Sequence, residues 1–352
     1  MTMPDAPNAI PDTIPLPAIP GIETRVHVFE TKRTTADPPG AQAGPRQAPV
    51  AGIDSRDALR AALGAKRPLL VRGEPGVGKT QLAEAAAVAL GRLLLTITVD
   101  SRTESRDLLY SFDAVRRLAE AQLLGSTPCL DDKERAQRRD DLDPRKFLIP
   151  GPLWWAFNWR SALEQADLAG APKEYDETKW SKAQGAVLLI DEIDKAEADV
   201  PNGLLEALGS RHFVAPHGAG TVAVGQHAPL VIITTNEERS LPDPFLRRCV
   251  VLTLKLPGND RDVENRALQD FLIARGRSHF PRCSQAVLET AAEQLARDRH
   301  AAFRDQVTPL PGQAEYLDLV RATLDSDPDP SAQLKNLQRF SEFILRKHGE
   351  RK

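Results

Sequence analysis

The run Gly73-Glu74-Pro75-Gly76-Val77-Gly78-Lys79-Thr80 constrains what this chain can become more tightly than any other part of it. Its three glycines let the backbone curl until successive amides point at one centre, and the next helix adds its positive end to the same place. The apolar run PLLV enters the loop and the alanine-rich run QLAEAAAVAL leaves it, so a strand, a loop and a helix are predicted in that order. Such a loop holds phosphate oxygens. The segment from Gly73 through Gln81 is therefore the expected nucleotide contact, with Lys79 reaching the β and γ phosphates and the Thr80 hydroxyl ligating Mg²⁺. The expected cofactors are ATP and Mg²⁺.

Three further apolar runs follow: RLLLTITVD, AVLLI before Asp191, and PLVIITT before Asn236. Strands apolar on both faces belong to a parallel sheet covered by helices, and RCVVLTLKL supplies the last of them. The fold class is α/β: a P-loop core with a parallel sheet, followed by a separate all-α domain. A phosphate loop needs a carboxylate from a neighbouring strand end to hold its metal, which makes Asp191 a metal ligand and leaves Glu192 to polarise an attacking water. Asn236, at the end of the next strand, can hold the water or the γ-phosphate without adding charge. Either Arg247 or Arg248, just before the last strand, can donate charge to a phosphate in trans or serve in a surface salt bridge.

Between these landmarks, SRDLLYSFDAVRRLAEAQLL has helical spacing, DDKERAQRRDDLDPRK reads as a solvated surface segment, and RHFVAPHGAGTVAV reads as a hairpin. His212 and His217 in that hairpin do not share a strand face, and no metal other than the nucleotide's Mg²⁺ is expected. After Pro257 the pattern is helical to the end. The predicted boundaries are a Pro-rich flexible N-terminal segment over 1–48, the ATPase core over 49–257, and a helical lid with a C-terminal helix over 258–352. Ten of the chain's 28 prolines fall in the first fifty residues, too dense for a packed core. Trp154, Trp155, Phe157 and Trp159 cluster in a chain only 5% aromatic, either as core or as a grip on a client protein.

Net charge is -3 with the signs mixed, so nucleic acid is not the expected partner. Cys129, Cys249 and Cys283 lack the spacing of a disulfide framework or a zinc site, and no apolar run reaches the ~18 residues of a membrane span. A cytoplasmic protein without a membrane partner is expected.

Taken together, GEPGVGKT, VLLIDEIDKA and IITTNEERSLPDPFLRRC resemble the Walker A, Walker B and sensor-1-to-arginine-finger regions of the AAA+ ATPases, and within them the MoxR-like group. The resemblance covers about residues 50–325 and extends to KFLIPGPLWW and to the hairpin at His212 to Val224. It implies an αβα P-loop NTPase core with a parallel sheet, followed by a small all-α lid domain, in an ATPase that assembles with itself, usually as a hexameric ring, with Asn236 as sensor 1 and Arg248, or else Arg247, as the finger offered to a neighbour. It further implies a chaperone-like remodeller of a client or partner protein, possible partners including a von Willebrand A-type protein. The pattern departs from the family at one place: VTPLPGQAEYLDLV carries no basic sensor-2 residue, and Arg304 upstream is not assigned to that role. Two other readings stay open, a nucleotide-operated assembly switch with little turnover and a nucleic-acid motor or loader.

Overall fold

The computed structural model describes residues 13–15, 26–28, 55–126, 131–172 and 185–345. Most of the Pro-rich segment, with Cys129, lies outside them. Of the N-terminal residues, Thr13–Pro15 (β1) and Val26–Val28 (β2) form an antiparallel ladder.

Helix α1 (Ser55–Ala65) buries Leu59 and Ala62, one helical turn apart, and ends before Pro68. Strand β3 (Leu69–Arg72) then leads through the glycine loop into α2 (Lys79–Leu90), whose buried face is Leu82 and four alanines. Strands β4 (Leu93–Thr98), β7 (Ala186–Asp191), β10 (Leu230–Thr235) and β11 (Val250–Thr253) complete a five-stranded sheet in the order β11-β3-β10-β7-β4. β7 lies parallel to both its neighbours, with Leu230 opposite Val187 and Thr98 opposite Asp191. Every residue of β10 and all but the last of β7 are buried, as covering both faces of a parallel sheet requires. The expected αβα architecture with a parallel sheet and a C-terminal helical region is the one observed.

The run expected to be one helix from Ser105 divides instead. Tyr110–Phe112 (β5) pairs antiparallel with Leu148–Pro150 (β6), and helix α3 (Ala114–Gly125) begins only after Asp113, whose side chain caps it by accepting from the Arg116 amide at 2.8 Å. Leu108 and Leu109 sit at spacings a helix would use, but Leu108 is fully buried in the approach to β5. At Gly151 a Cβ would lie 2.7 Å from the Asp107 carbonyl oxygen, so the two segments approach closer than any other residue permits. The charged segment after it is solvated, as expected, and is also helical: α4 (Asp132–Asp141) buries no side chain and carries i,i+3 and i,i+4 pairs such as Arg138–Glu134 at 3.0 Å.

The aromatic cluster is core. In α5 (Pro152–Phe157) and at the start of α6 (Trp159–Ala169), Trp154, Trp155, Phe157 and Trp159 are 1%, 2%, 3% and 5% exposed, which removes the client-grip reading. The indole N–H of Trp154 donates to Ser161 Oγ at 3.1 Å, and its ring meets Phe213 edge-on. Phe213 belongs to the predicted hairpin, β8 (His212–Ala215) and β9 (Gly220–Ala223), which follows helix α7 (Asp199–Ser210). A short helix, α8 (Asp243–Leu246), precedes β11.

Helices α9 (Arg266–His279), α10 (Gln285–Arg304), α11 (Gln313–Ser326) and α12 (Pro330–Ile344) share a separate core of Leu268, Leu272, Leu288, Leu295, Tyr316 and Leu337. Helix α9 starts later than its charge pattern suggests. Asn259 and Asp262 each accept from the amide two residues on, closing turns that compete with helix until Asn265 caps it. Contacts divide the chain into two compact units, residues 58–70 with 86–251 and residues 1–57, 71–85 and 252–352. The glycine loop thus groups with the C-terminal helices. Among the described residues no helix is long and apolar enough to cross a membrane.

Candidate nucleotide site

In the unit that holds the glycine loop, Gly76 and Gly78 take the left-handed backbone that glycine adopts at no steric cost, φ +76° and +98°. At Gly73 a Cβ would lie 2.4 Å from the Leu254 carbonyl oxygen, so side chains are excluded from the loop on packing grounds too. Lys79 opens α2. Its buried ammonium donates to the Gly73 and Glu74 carbonyls at 2.7 and 2.9 Å. Thr80 is exposed, and the first turn of α2 carries no acidic residue to oppose an anion at the helix start. The cradle, the ammonium and the acid-free helix end fit a polyphosphate with its Mg²⁺.

The same loop is tied to the C-terminal helices. Arg299 of α10, 3% exposed, donates to both Glu74 oxygens at 3.0 and 2.8 Å, to Asp260 at 2.7 and 3.1 Å, and to the Pro311 carbonyl at 3.0 Å. Burial pulls the Arg299 pKa down, but its hydrogen bonds to the carboxylates of Asp260 and Glu74, and the charges of both, outweigh burial and leave the value raised. Helix α11 begins against the loop, with the Ala314 methyl 2.9 Å from where a Gly76 Cβ would stand. Gln313 beside it is 6% exposed, its amide nitrogen 3.9 Å from the corresponding point at Gly78, and its Oε1 has no hydrogen-bond partner. A neutral amide thus stands in the stretch where the family pattern has a basic residue. Arg304 is exposed and paired with Asp305.

Sequence reasoning missed Arg299, although a signal was present. Leu288, Ala291, Ala292, Leu295 and Ala296 mark the buried face of α10, and Arg299 continues it at helical spacing. A charge on such a stripe needs partners. Replacing Arg299 with alanine is expected to cost about 3 kcal/mol by leaving Asp260 and part of Glu74 unpaired, measurable as a lower denaturation midpoint; Glu74→Gln, which keeps Arg299 paired with Asp260, should cost less.

In the other unit, Asp191 ends β7 and Glu192 follows it. The Thr234 hydroxyl of β10 donates to Asp191 Oδ1 and accepts from the Glu192 amide at 2.9 Å, which fixes the carboxylate pair to the neighbouring strand. Glu192 lies in left-handed backbone, φ +60°, a conformation held at a cost for a non-glycine residue. Its carboxylate meets Lys195 Nζ at 2.6 Å. Asp194, 2% exposed, accepts from the amides of Asn236 at 3.2 Å and Glu238 at 3.0 Å, so the turn that presents Asn236 is anchored on the segment that follows Glu192. Thr234, Asp194 and Lys195 had no assigned role in the sequence reading; a hydroxyl facing the strand-end acid was their only signal. Arg247 and Arg248 follow α8, both exposed, and neither forms an ion pair among the described residues.

A family model, the AAA domain of the dynein-related subfamily, matches residues 68–249, just over half of the chain. The chain belongs to this family. The AAA domain so defined spans the glycine loop, the β7 acid pair, Asn236 and both arginines, and membership in the AAA+ class supports a nucleotide-dependent ATPase activity. No curated protein matches the chain. Among solved structures it is similar to a RuvB variant of Thermotoga maritima, at 16% identity and a TM-score of 0.38, covering 81% of this chain and 66% of that one. Members of the AAA+ class often assemble into rings.

Proposed function

We propose that this AAA protein is a MoxR-like ATPase, cytoplasmic and ring-forming, that hydrolyses ATP to remodel a partner protein. The observation behind the reading is the glycine cradle with Lys79 at the head of α2, in a chain whose β7 leads into the Asp191–Glu192 pair. Lys79 exchanges its loop carbonyls for phosphate oxygens, the loop amides orient the phosphate chain, and Thr80 and Asp191 are the residues that would hold Mg²⁺. The metal, when bound, neutralises charge on the transferring phosphoryl group. Glu192 accepts a proton from the attacking water, and Asn236 orients that water with its amide. On this reading the domain order is tail over 1–48, ATPase core over 49–257 and lid over 258–352.

Arg248, with Arg247 as the alternative, is offered to a neighbouring subunit's nucleotide. A finger given in trans requires a head-to-tail interface that closes into a ring. The expected result is that ATPase rate per subunit rises with protein concentration, and that Arg248→Ala lowers the plateau about 10³-fold without weakening ATP binding. Mixing Arg248→Ala with Glu192→Gln protein should restore part of the activity, since a mixed interface pairs an intact finger with an intact carboxylate. Activity independent of concentration, or unaffected by both arginine substitutions, would overturn the trans finger.

A second reading is favoured by one contact and one residue type. Glu192 is engaged by Lys195, and the lid offers Gln313 rather than a cation, an arrangement suited to binding with slow turnover. That is the assembly switch, and a client protein that accelerates turnover would decide for the remodeller.

A further inference from the structure

A cavity of about 230 Å³ opens where β3, β4 and β10 begin, whereas the glycine loop follows the end of β3. Its lining includes Lys66, Arg67, Arg92, Arg211 and His227 and contains no carboxylate. Four residues of formal positive charge therefore line one small volume in a chain of net charge -3. None of the four cations forms an ion pair among the described residues: Arg67 and Arg92 each donate to a backbone carbonyl, of Arg247 at 3.4 Å and Ala228 at 3.2 Å. Each guanidinium carries five donors, so most remain for a ligand. Burial pulls the pKa of Arg92 down, as for a cation without an anionic partner.

The backbone supplies a second, independent observation. Lys66 and Arg211 stand just past the ends of α1 and α7 in the left-handed region, at φ +54° and +59°. Helix ends in this conformation favour glycine, and any other L-residue there costs about 1 kcal/mol. The negative ends of the two helices lower the mutual repulsion of the cations, which lets the cluster persist without a ligand. Helix ends alone do not account for Arg67, Arg92 and His227 in the same cavity.

We propose that this cavity binds a small, multiply charged phosphate-bearing anion. A single carboxylate offers about four acceptor positions and one charge, fewer than three guanidiniums and an ammonium can use, whereas a phosphate or pyrophosphate matches them in charge and in geometry. The charges converge on a pocket rather than extend along a track, so a nucleic-acid strand is not the ligand of choice. Arg67, which lines the cavity, also donates to the backbone carbonyl of Arg247, one of the two candidate finger arginines.

The test is calorimetric titration of pyrophosphate into the full chain carrying Lys79→Ala, which keeps the probe out of the glycine loop and makes the outcome independent of the catalytic reading. One saturable site is expected, and adding Lys66→Gly and Arg211→Gly should weaken it at least about tenfold. Because glycine suits both backbone positions, the melting temperature should stay level or rise, so lost binding cannot be lost folding. Absence of a saturable site, equal affinity in the double glycine variant, or equally tight binding of acetate at the same ionic strength would each overturn the proposal.

Discussion

Lys79→Ala is expected to raise the Kd for MgATP about 100-fold or more while leaving the fold intact. The ammonium is the one charged donor that the glycine loop supplies, and charge-assisted hydrogen bonds to phosphate are worth ~3 kcal/mol in such settings. Removing it deletes the bonds to the buried Gly73 carbonyl and the part-buried Glu74 carbonyl, so a stability loss of about 1–2 kcal/mol is expected beside the loss of binding. Fluorescent-nucleotide titration beside thermal denaturation separates the two effects. A variant that keeps its ATP affinity would remove the loop from the site; one that unfolds would leave Arg299→Ala as the comparison for what loop disruption alone does.

Glu192→Gln should have the opposite signature, with ATP bound at least as tightly as in the parent and turnover reduced about 10²- to 10⁴-fold, because a carboxamide of the same shape cannot accept the water's proton. The substitution also removes the ion pair with Lys195. That pair is partly exposed and contributes little to stability, so the variant should melt within a few degrees of the parent. Lys195→Ala isolates the contact: if the ion pair holds Glu192 away from the water, its removal raises the turnover rate, and if Lys195 orients the carboxylate, its removal lowers it.

The parts of this chain that could be read from sequence are those whose chemistry is contiguous. Phosphate binding by backbone amides needs adjacent residues of fixed type, so GEPGVGKT declares itself, and a buried strand ending in acids declares its successor. Arg299 and Glu74 meet across 225 positions, and no local pattern connects them. The strand at Tyr110–Phe112 was hidden for the same reason, since its partner lies at Leu148–Pro150 and its own residues sit at helical spacing until pairing decides otherwise. Solvated charge was recognised in α4, but its helicity rests on side-chain pairs along the helix that a reading for burial alone passes over. The tryptophans were ambiguous because an aromatic cluster suits a core or a surface equally, and only packing against Phe213 and Ser161 settles it.

The most direct test of the central claim is steady-state ATP hydrolysis by the purified full-length chain with Mg²⁺, measured beside Glu192→Gln at matched concentrations. Turnover that requires Mg²⁺ and falls at least about 100-fold in the variant, with ATP binding retained by both, is the predicted result. A wild-type chain that binds MgATP and does not turn it over at any concentration, with or without Glu192, would contradict the ATPase and leave the nucleotide-operated switch in its place.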